Sequence, residues 1–145
     1  MKQYALVAVG TDGSTSATKA VTRAAEVAAD AGARLLVICA YEIGAPGSDG
    51  DDGRSVPVVL GSSPAERALT DAAEVARRAG VDEVETVAVE GDPAGALVDE
   101  VERRGADVVV VGNKGLASFA GRLLGSVPAG VSRRARADVL IVHTT

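Results

Sequence analysis

Apolar and polar residues alternate along this chain in two rhythms. Short runs that are apolar throughout, or that alternate with a period of two, recur at residues 4–9, 34–41, 83–90, 107–111 and 138–143. Their length and their density of Val, Ile and Leu predict β-strands. The runs at 4–9, 34–41 and 107–111 are nearly continuous, as strands covered on both faces must be. The run at 83–90 sets Val84, Thr86 and Ala88 against Glu83 and Glu85, which predicts an edge strand. Between the runs, apolar residues fall at helical spacing. Ala17, Ala20, Val21, Ala24, Ala28 and Ala31 share one face of a first helix, which Gly32 stops. Ser63-Pro-Ala-Glu66 predicts the start of a second, with Ser63 as N-cap, Pro64 at the first helical position and Glu66 completing a capping box. Asp92-Pro93 opens a third in a similar way, and a fourth is predicted over about 126–136.

Strand and helix therefore alternate from end to end. The pattern predicts one α/β domain over residues 1–145. Its architecture is a single open, doubly wound, five-stranded parallel sheet of order 3-2-1-4-5, Rossmann-like, with helices on both faces. Residues 42–62 break the rhythm with Gly44, Pro46, Gly47, Gly50 and Gly53 among Asp49, Asp51 and Asp52. This long polar connection reads either as a plain surface loop or as a flap over a pocket.

Composition narrows the possible partners. Apolar residues make up 47 % of the chain but aromatics only 2 %, so the core must be built from Val, Leu, Ile and Ala. A net charge of -5 argues against nucleic acid and against an anionic membrane surface, both of which need a basic face. Tyr4, Tyr41 and Phe119 are the whole stock of aromatics on which bases could stack. The lone Cys39 lies in an apolar run and reads as a buried, inert thiol, with no disulfide framework or Cys/His metal cluster available. No run approaches membrane-spanning length, and MKQYALVAVG is too short in its apolar part for a signal peptide, so a cytoplasmic location is expected.

The candidate chemistry lies where strands end. In an open α/β sheet, ligands bind beyond the carboxyl ends of the strands, at the point where the strand order reverses. The order 3-2-1-4-5 puts the first and fourth strands side by side there, and both exits carry glycine. Gly10-Thr11-Asp12-Gly13-Ser14 follows the first strand, and Gly112-Asn113-Lys114-Gly115 follows the fourth. Gly112 and Gly115 lack a Cβ, which permits positive φ and close approach by a ligand. Gly125-Ser126 precedes the fourth helix, whose first turn offers unpaired N–H groups and the positive end of the helix dipole. Pro128 is tolerated near such a helix start. A phosphate docked there would accept from backbone donors and from the Ser126 hydroxyl.

Each of these residues has a plainer role open to it. Ser126 reads as a helix cap or a phosphate ligand, Lys114 as a solvated loop cation or a phosphate contact, and Arg122 as a surface charge or a clamp. Asp12 either caps the first helix, shapes the turn with Gly13, or holds ribose hydroxyls or a phosphate-bound Mg²⁺. Neither G-x-x-x-x-G-K-S/T nor a G-x-G-x-x-G after the first strand is present, which disfavours a Walker-type loop and a dinucleotide fold.

The spacing of Gly112, Gly115, Gly125 and Ser126 reproduces G-x2-G-x9-G-S/T, and GTDGS stands at the first strand exit. In these features the chain resembles the nucleotide-binding class of the universal stress protein family, along its whole length. The closing stretch GRLLGSVPAGVSRRARADVLIVHTT is similar to small actinobacterial members. The resemblance implies an adenine nucleotide, ATP or cyclic AMP, in the cleft. Asp12 would lie near ribose and phosphates, with Gly10 and Thr11 beside it and Mg²⁺ reached through ATP. Main chain around Ala40 would meet the adenine edge. Gly112, Asn113, Lys114, Gly115, Gly125, Ser126 and Val127 would surround the phosphates. The resemblance also implies a homodimer paired through the last strand: Val139, Leu140, Ile141, Val142 and His143. Lys114 departs from the small or apolar residue expected there, and its charge would favour a triphosphate over a cyclic phosphate.

Turnover is a separate question. ATP hydrolysis needs a positioned water, a base or metal, and charge stabilisation at the γ-phosphate. His143 lies in the terminal strand, and Glu90 and Asp92 read as loop and cap residues, so no nucleophile–base pair emerges. The chain therefore reads as a sensor or sequestering module with weak ATPase activity at most. A slow ATP-hydrolysing enzyme and a nucleotide-free interaction protein are the alternatives.

Overall fold

The computed structural model describes residues 3–43, 59, 61–113 and 126–144, with the backbone alone for 126–128. Strands β1 (Leu6–Gly10), β2 (Arg34–Tyr41), β3 (Val84–Glu90), β4 (Val108–Gly112) and β5 (Asp138–Val142) form one parallel sheet of order β3-β2-β1-β4-β5. Helices α1 (Thr15–Ala31), α2 (Ser62–Arg78), α3 (Pro93–Arg104) and α4 (Ser126–Arg134) connect them. This is the expected doubly wound order, with β3 at one edge as its alternation predicts.

Successive residues of a strand face opposite ways, and here both faces are apolar. Val7, Val9, Leu35, Val37, Val108 and Val110 pack against Ala20, Val21, Ala24 and Ala28 of α1 and Ala65, Leu69, Ala72 and Ala76 of α2. Leu6, Ala8, Leu36, Ile38, Val109 and Val111 face Leu97, Val98 and Val101 of α3 and Val131 of α4. With alanine dominating the inner stripes of α1 and α2, those helices sit close on the sheet. At Gly130 of α4 the approach is closer still: a Cβ there would lie 2.9 Å from Ala94 Cβ of α3.

Several boundaries differ from expectation by one or two residues. β1 begins at Leu6 rather than Tyr4, because the Ala5 and Leu6 amides donate to Asp107 Oδ2 at 2.8 and 3.0 Å. α4 ends at Arg134, two residues short of the expected end. α2 starts at Ser62, so Ser63 is not its N-cap and no side chain caps this helix. Gly61 holds the cap position with φ 93, and its N–H is tied to the Glu42 carbonyl at 2.9 Å. That backbone bond turns the chain into the helix two residues before the capping box would.

The other ends follow the sequence signals. Asp92 caps α3, accepting from Gly95 N at 3.0 Å, with Pro93 in the first turn. Gly32 closes α1 in the left-handed region at φ 65. Most of the 42–62 connection lies outside the described residues.

Candidate functional site

The exits of β1, β2 and β4 and the start of α3 converge on one cleft at the carboxyl edge of the sheet. Its empty space, counting the part open to solvent, is about 430 Å³. Gly10, Thr11 and Asp12 line it from the β1 exit, Ser16 and Ala17 from α1, and Ala40 from β2. Pro93 and Leu97 of α3 and Val111 and Gly112 of β4 complete the lining. It lies where strand order reverses, between β1 and β4.

The β1 exit is rigid because its polar groups bind one another. Thr11 N donates to the Ile38 carbonyl at 2.9 Å, which extends the β1–β2 ladder by one bond. Thr11, buried at 7 % exposure, accepts from Gly13 N at 3.1 Å through its hydroxyl. Asp12 Oδ1 accepts from Ser14 N at 2.9 Å, and Ser14 Oγ in turn accepts from Ala17 N at 3.1 Å. Ser14, then, is the cap of α1. Asp12 shapes the turn with one carboxylate oxygen, which leaves Oδ2 as the oxygen that can meet a ligand. Gly13, at φ 83 and with Ala68 Cβ 3.2 Å from where its own Cβ would be, is the residue whose turn demands glycine.

Gly10 and Gly112 act differently from a positive-φ glycine. Each is the last residue of its strand, in extended backbone, registered with Ile38 and Val142 respectively. What they contribute is bare main chain at the cleft wall. Ala40, buried at the end of β2, gives a third small residue.

Asn113 is engaged elsewhere. Its N–H donates to the Val142 carbonyl at 2.7 Å, and its Oδ1 accepts from Thr144 N at 2.8 Å and Thr144 Oγ1 at 3.1 Å. Its Nδ2 lies 3.4 Å from His143 Nδ1. The side chain thus fastens the end of β5 to the exit of β4, and Lys19 Nζ of α1 donates to the Thr144 carbonyl at 3.2 Å on the same tail. Ser126 and Val127 are the first residues of α4, and Lys114, Gly115 and Gly125 lie outside the described residues. Cys39 is fully buried, and desolvation pushes its thiol up to about 11. It is inert, as its setting in the sequence predicts.

The cleft therefore gathers Gly10, Thr11, Asp12, Ala40 and Gly112 as expected. Ser16, Ala17, Pro93, Leu97 and Val111 were not among the expected residues. Pro93 and Leu97 had a legible signal: the Asp92-Pro93 helix start follows β3, whose exit the strand order brings near that of β2. Among the described residues, no group of three or more His, Cys, Asp or Glu could hold a metal ion.

Comparison with known proteins agrees with this fold. The family model described as "Universal stress protein family" matches residues 3–143. The chain belongs to the universal stress protein family. Universal stress protein Rv1636 of Mycobacterium tuberculosis (strain H37Rv) is 47 % identical over 152 residues, spanning 100 % of both chains. A crystal structure of protein Rv1636 from that strain is 45 % identical with a TM-score of 0.65, covering 100 % of this chain and 99 % of that one. A crystal structure of a universal stress protein in complex with cAMP is 42 % identical with a TM-score of 0.79, covering 99 % of this chain and 100 % of that one.

In this universal stress protein the exits of β1, β2 and β4 and the start of α3 line one cleft. No helix of the described residues is long and apolar enough to cross a membrane.

Proposed function

We propose that this chain binds an adenine nucleotide, ATP or cyclic AMP, in the cleft at the carboxyl edge of its sheet. It would do so as a cytoplasmic homodimer that senses or sequesters the nucleotide under stress. The observation that carries the reading is the meeting of Gly10, Asp12, Ala40 and Gly112 in one cleft beside the strand-order reversal. The 42 % identical universal stress protein whose structure holds cAMP supports it.

The lining suggests how the ligand lies. Ala40, Pro93 and Leu97, beside the exits of β2 and β3, offer an apolar wall to the flat purine. Asp12, at the β1 exit, would meet ribose hydroxyls and Mg²⁺ carried by ATP. The bare main chain of Gly112 would let the phosphates approach the start of α4. There the unpaired N–H groups of the first turn, with Ser126 and Val127, supply donors and the positive end of the helix dipole. Each such contact with an anion contributes about 0.3–1 kcal/mol, so affinity depends on several converging.

The dimer reading rests on β5, an edge strand bonded to β4 alone in this chain. Val139, Leu140 and Val142 are half-buried and Ile141 is exposed, an apolar edge of the kind that pairs with another copy. His143 follows at its end. In sedimentation experiments the wild type would run as a dimer and Ile141→Lys as a monomer.

Isothermal titration with ATP–Mg²⁺ and with cyclic AMP tests the central reading. Saturable binding of either supports it, and no heat from both at millimolar ligand rejects it.

A further inference from the structure

Gly10 and Leu97 meet at the floor of the cleft more closely than two ordinary residues could. A Cβ at Gly10 would lie 2.7 Å from Leu97 Cδ2 and 3.0 Å from Cδ1, closer than non-bonded carbons approach. Leu97 is 3 % exposed and packs in the cluster that holds Ala8, Ile38, Val109 and Val111. Its methyl groups are bounded by the Gly10 main chain on one side and border the cleft on another. α3 also has α4 closely abutting it, through Gly130 against Ala94, one turn before Leu97. Packed interiors of this density do not yield freely, so bulk added at Gly10 moves Leu97 toward the open cleft.

The position of this contact matters because the cleft changes character along its length. Gly112 gives the cleft bare main chain at the β4 exit, and Ala40, Pro93 and Leu97 give it apolar surface. We propose that Leu97, held against the bare main chain of Gly10, sets the depth of the base-binding half of the cleft and so limits the size of purine this chain accepts. The inference rests on the nucleotide reading above and deepens it. Gly10 then has a second job besides ligand approach: its missing Cβ keeps Leu97 out of the purine seat.

Two opposite substitutions follow. Leu97→Ala deepens the seat, and Gly10→Ala drives the Leu97 methyls into it. The double variant Gly10→Ala/Leu97→Ala removes the collision and restores the space. A collision that mattered only to packing would also be relieved by the second truncation. The readout that discriminates is therefore selectivity between purines of different size, which fold stability alone does not move.

The test is titration of the full chain and these three variants with ATP–Mg²⁺, cyclic AMP, N6-benzyl-ATP and 2-methylthio-ATP. Circular dichroism and thermal melting check each fold. The wild type is expected to prefer its unsubstituted nucleotide over at least one enlarged analogue by about tenfold or more. Leu97→Ala should bring that analogue to within about threefold. Gly10→Ala should weaken the unsubstituted nucleotide by about tenfold, and the double variant should recover most of the loss. If Gly10→Ala does not fold, the Leu97→Ala arm decides, with Leu97→Val as the milder truncation. Unchanged selectivity in a folded Leu97 variant of a chain that binds ATP or cyclic AMP overturns this inference alone. A wild type that binds neither overturns the nucleotide reading, and this inference with it.

Discussion

The two ends of the sheet use polar residues in opposite ways. At the amino edge, charges are plentiful and satisfied by one another. Glu85 bridges Arg34 and Arg104, each at 3.1 Å, and the buried Glu100 holds Arg104 at 3.3 Å and also Arg103. Asp107 takes the Ala5 and Leu6 amides, and Asp138 accepts from the Tyr4 hydroxyl at 2.9 Å. Among the described residues that line the carboxyl-edge cleft, charge is sparse. The cleft presents small side chains and one carboxylate, Asp12, with a single oxygen committed to its turn. Density of ionisable groups would have pointed to the wrong end. A ligand seat is marked by bare main chain and uncommitted polar atoms, whereas a charged cluster that closes on itself is structural.

Breaking each edge should separate stability from binding. The largest expected effect is at the amino edge: Asp107→Ala strands two amides, one of them part-buried. Unfolding free energy in urea should fall by about 1–3 kcal/mol, with nucleotide affinity unchanged. Next, Asp12→Ala should weaken ATP or cyclic AMP about tenfold in titration, while the loss of its bond to Ser14 N lowers stability by about 1 kcal/mol or less. If instead Asp107→Ala abolished binding in a folded protein and Asp12→Ala did not, the contrast between the edges would be wrong.

Smaller still, Glu85→Ala removes two ion pairs whose carboxylate is 44 % exposed. Denaturant midpoints should register about 0–1 kcal/mol, diminishing as salt is added. Tyr4 gives the least. Its hydrogen bond to Asp138 raises its pKa above the ordinary 10.0, so the protonated phenol is favoured in the folded state. That contribution is whole below pH 10 and is lost as pH rises through the raised value, so Tyr4→Phe should flatten the alkaline limb of the stability curve.

The strand order and the glycine-marked exits were legible because they depend on local signals. Continuous Val/Ile/Leu runs separated by alanine stripes admit few other folds, and Gly10, Asp12 and Gly112 stand directly at strand ends. Leu97 was illegible for the opposite reason: a leucine at helical spacing carries no sign that its outer methyls border a cleft. Ser63 misled because its capping box is a sound local motif, overridden by a backbone bond from Gly61 to Glu42 across the connection. Asn113 lies inside the G-x2-G spacing, yet its side chain serves the chain end, a partnership set by the pairing of β4 with β5.

The central claim is that nucleotide binds at the carboxyl edge, and amide chemical-shift mapping tests it most directly. On titration with ATP–Mg²⁺ or cyclic AMP, the amides of Gly10, Thr11, Asp12, Ala40, Leu97 and Gly112 should shift together and saturate. Shifts centred on Arg34, Glu85 and Arg104, with the carboxyl-edge amides unmoved, would contradict it.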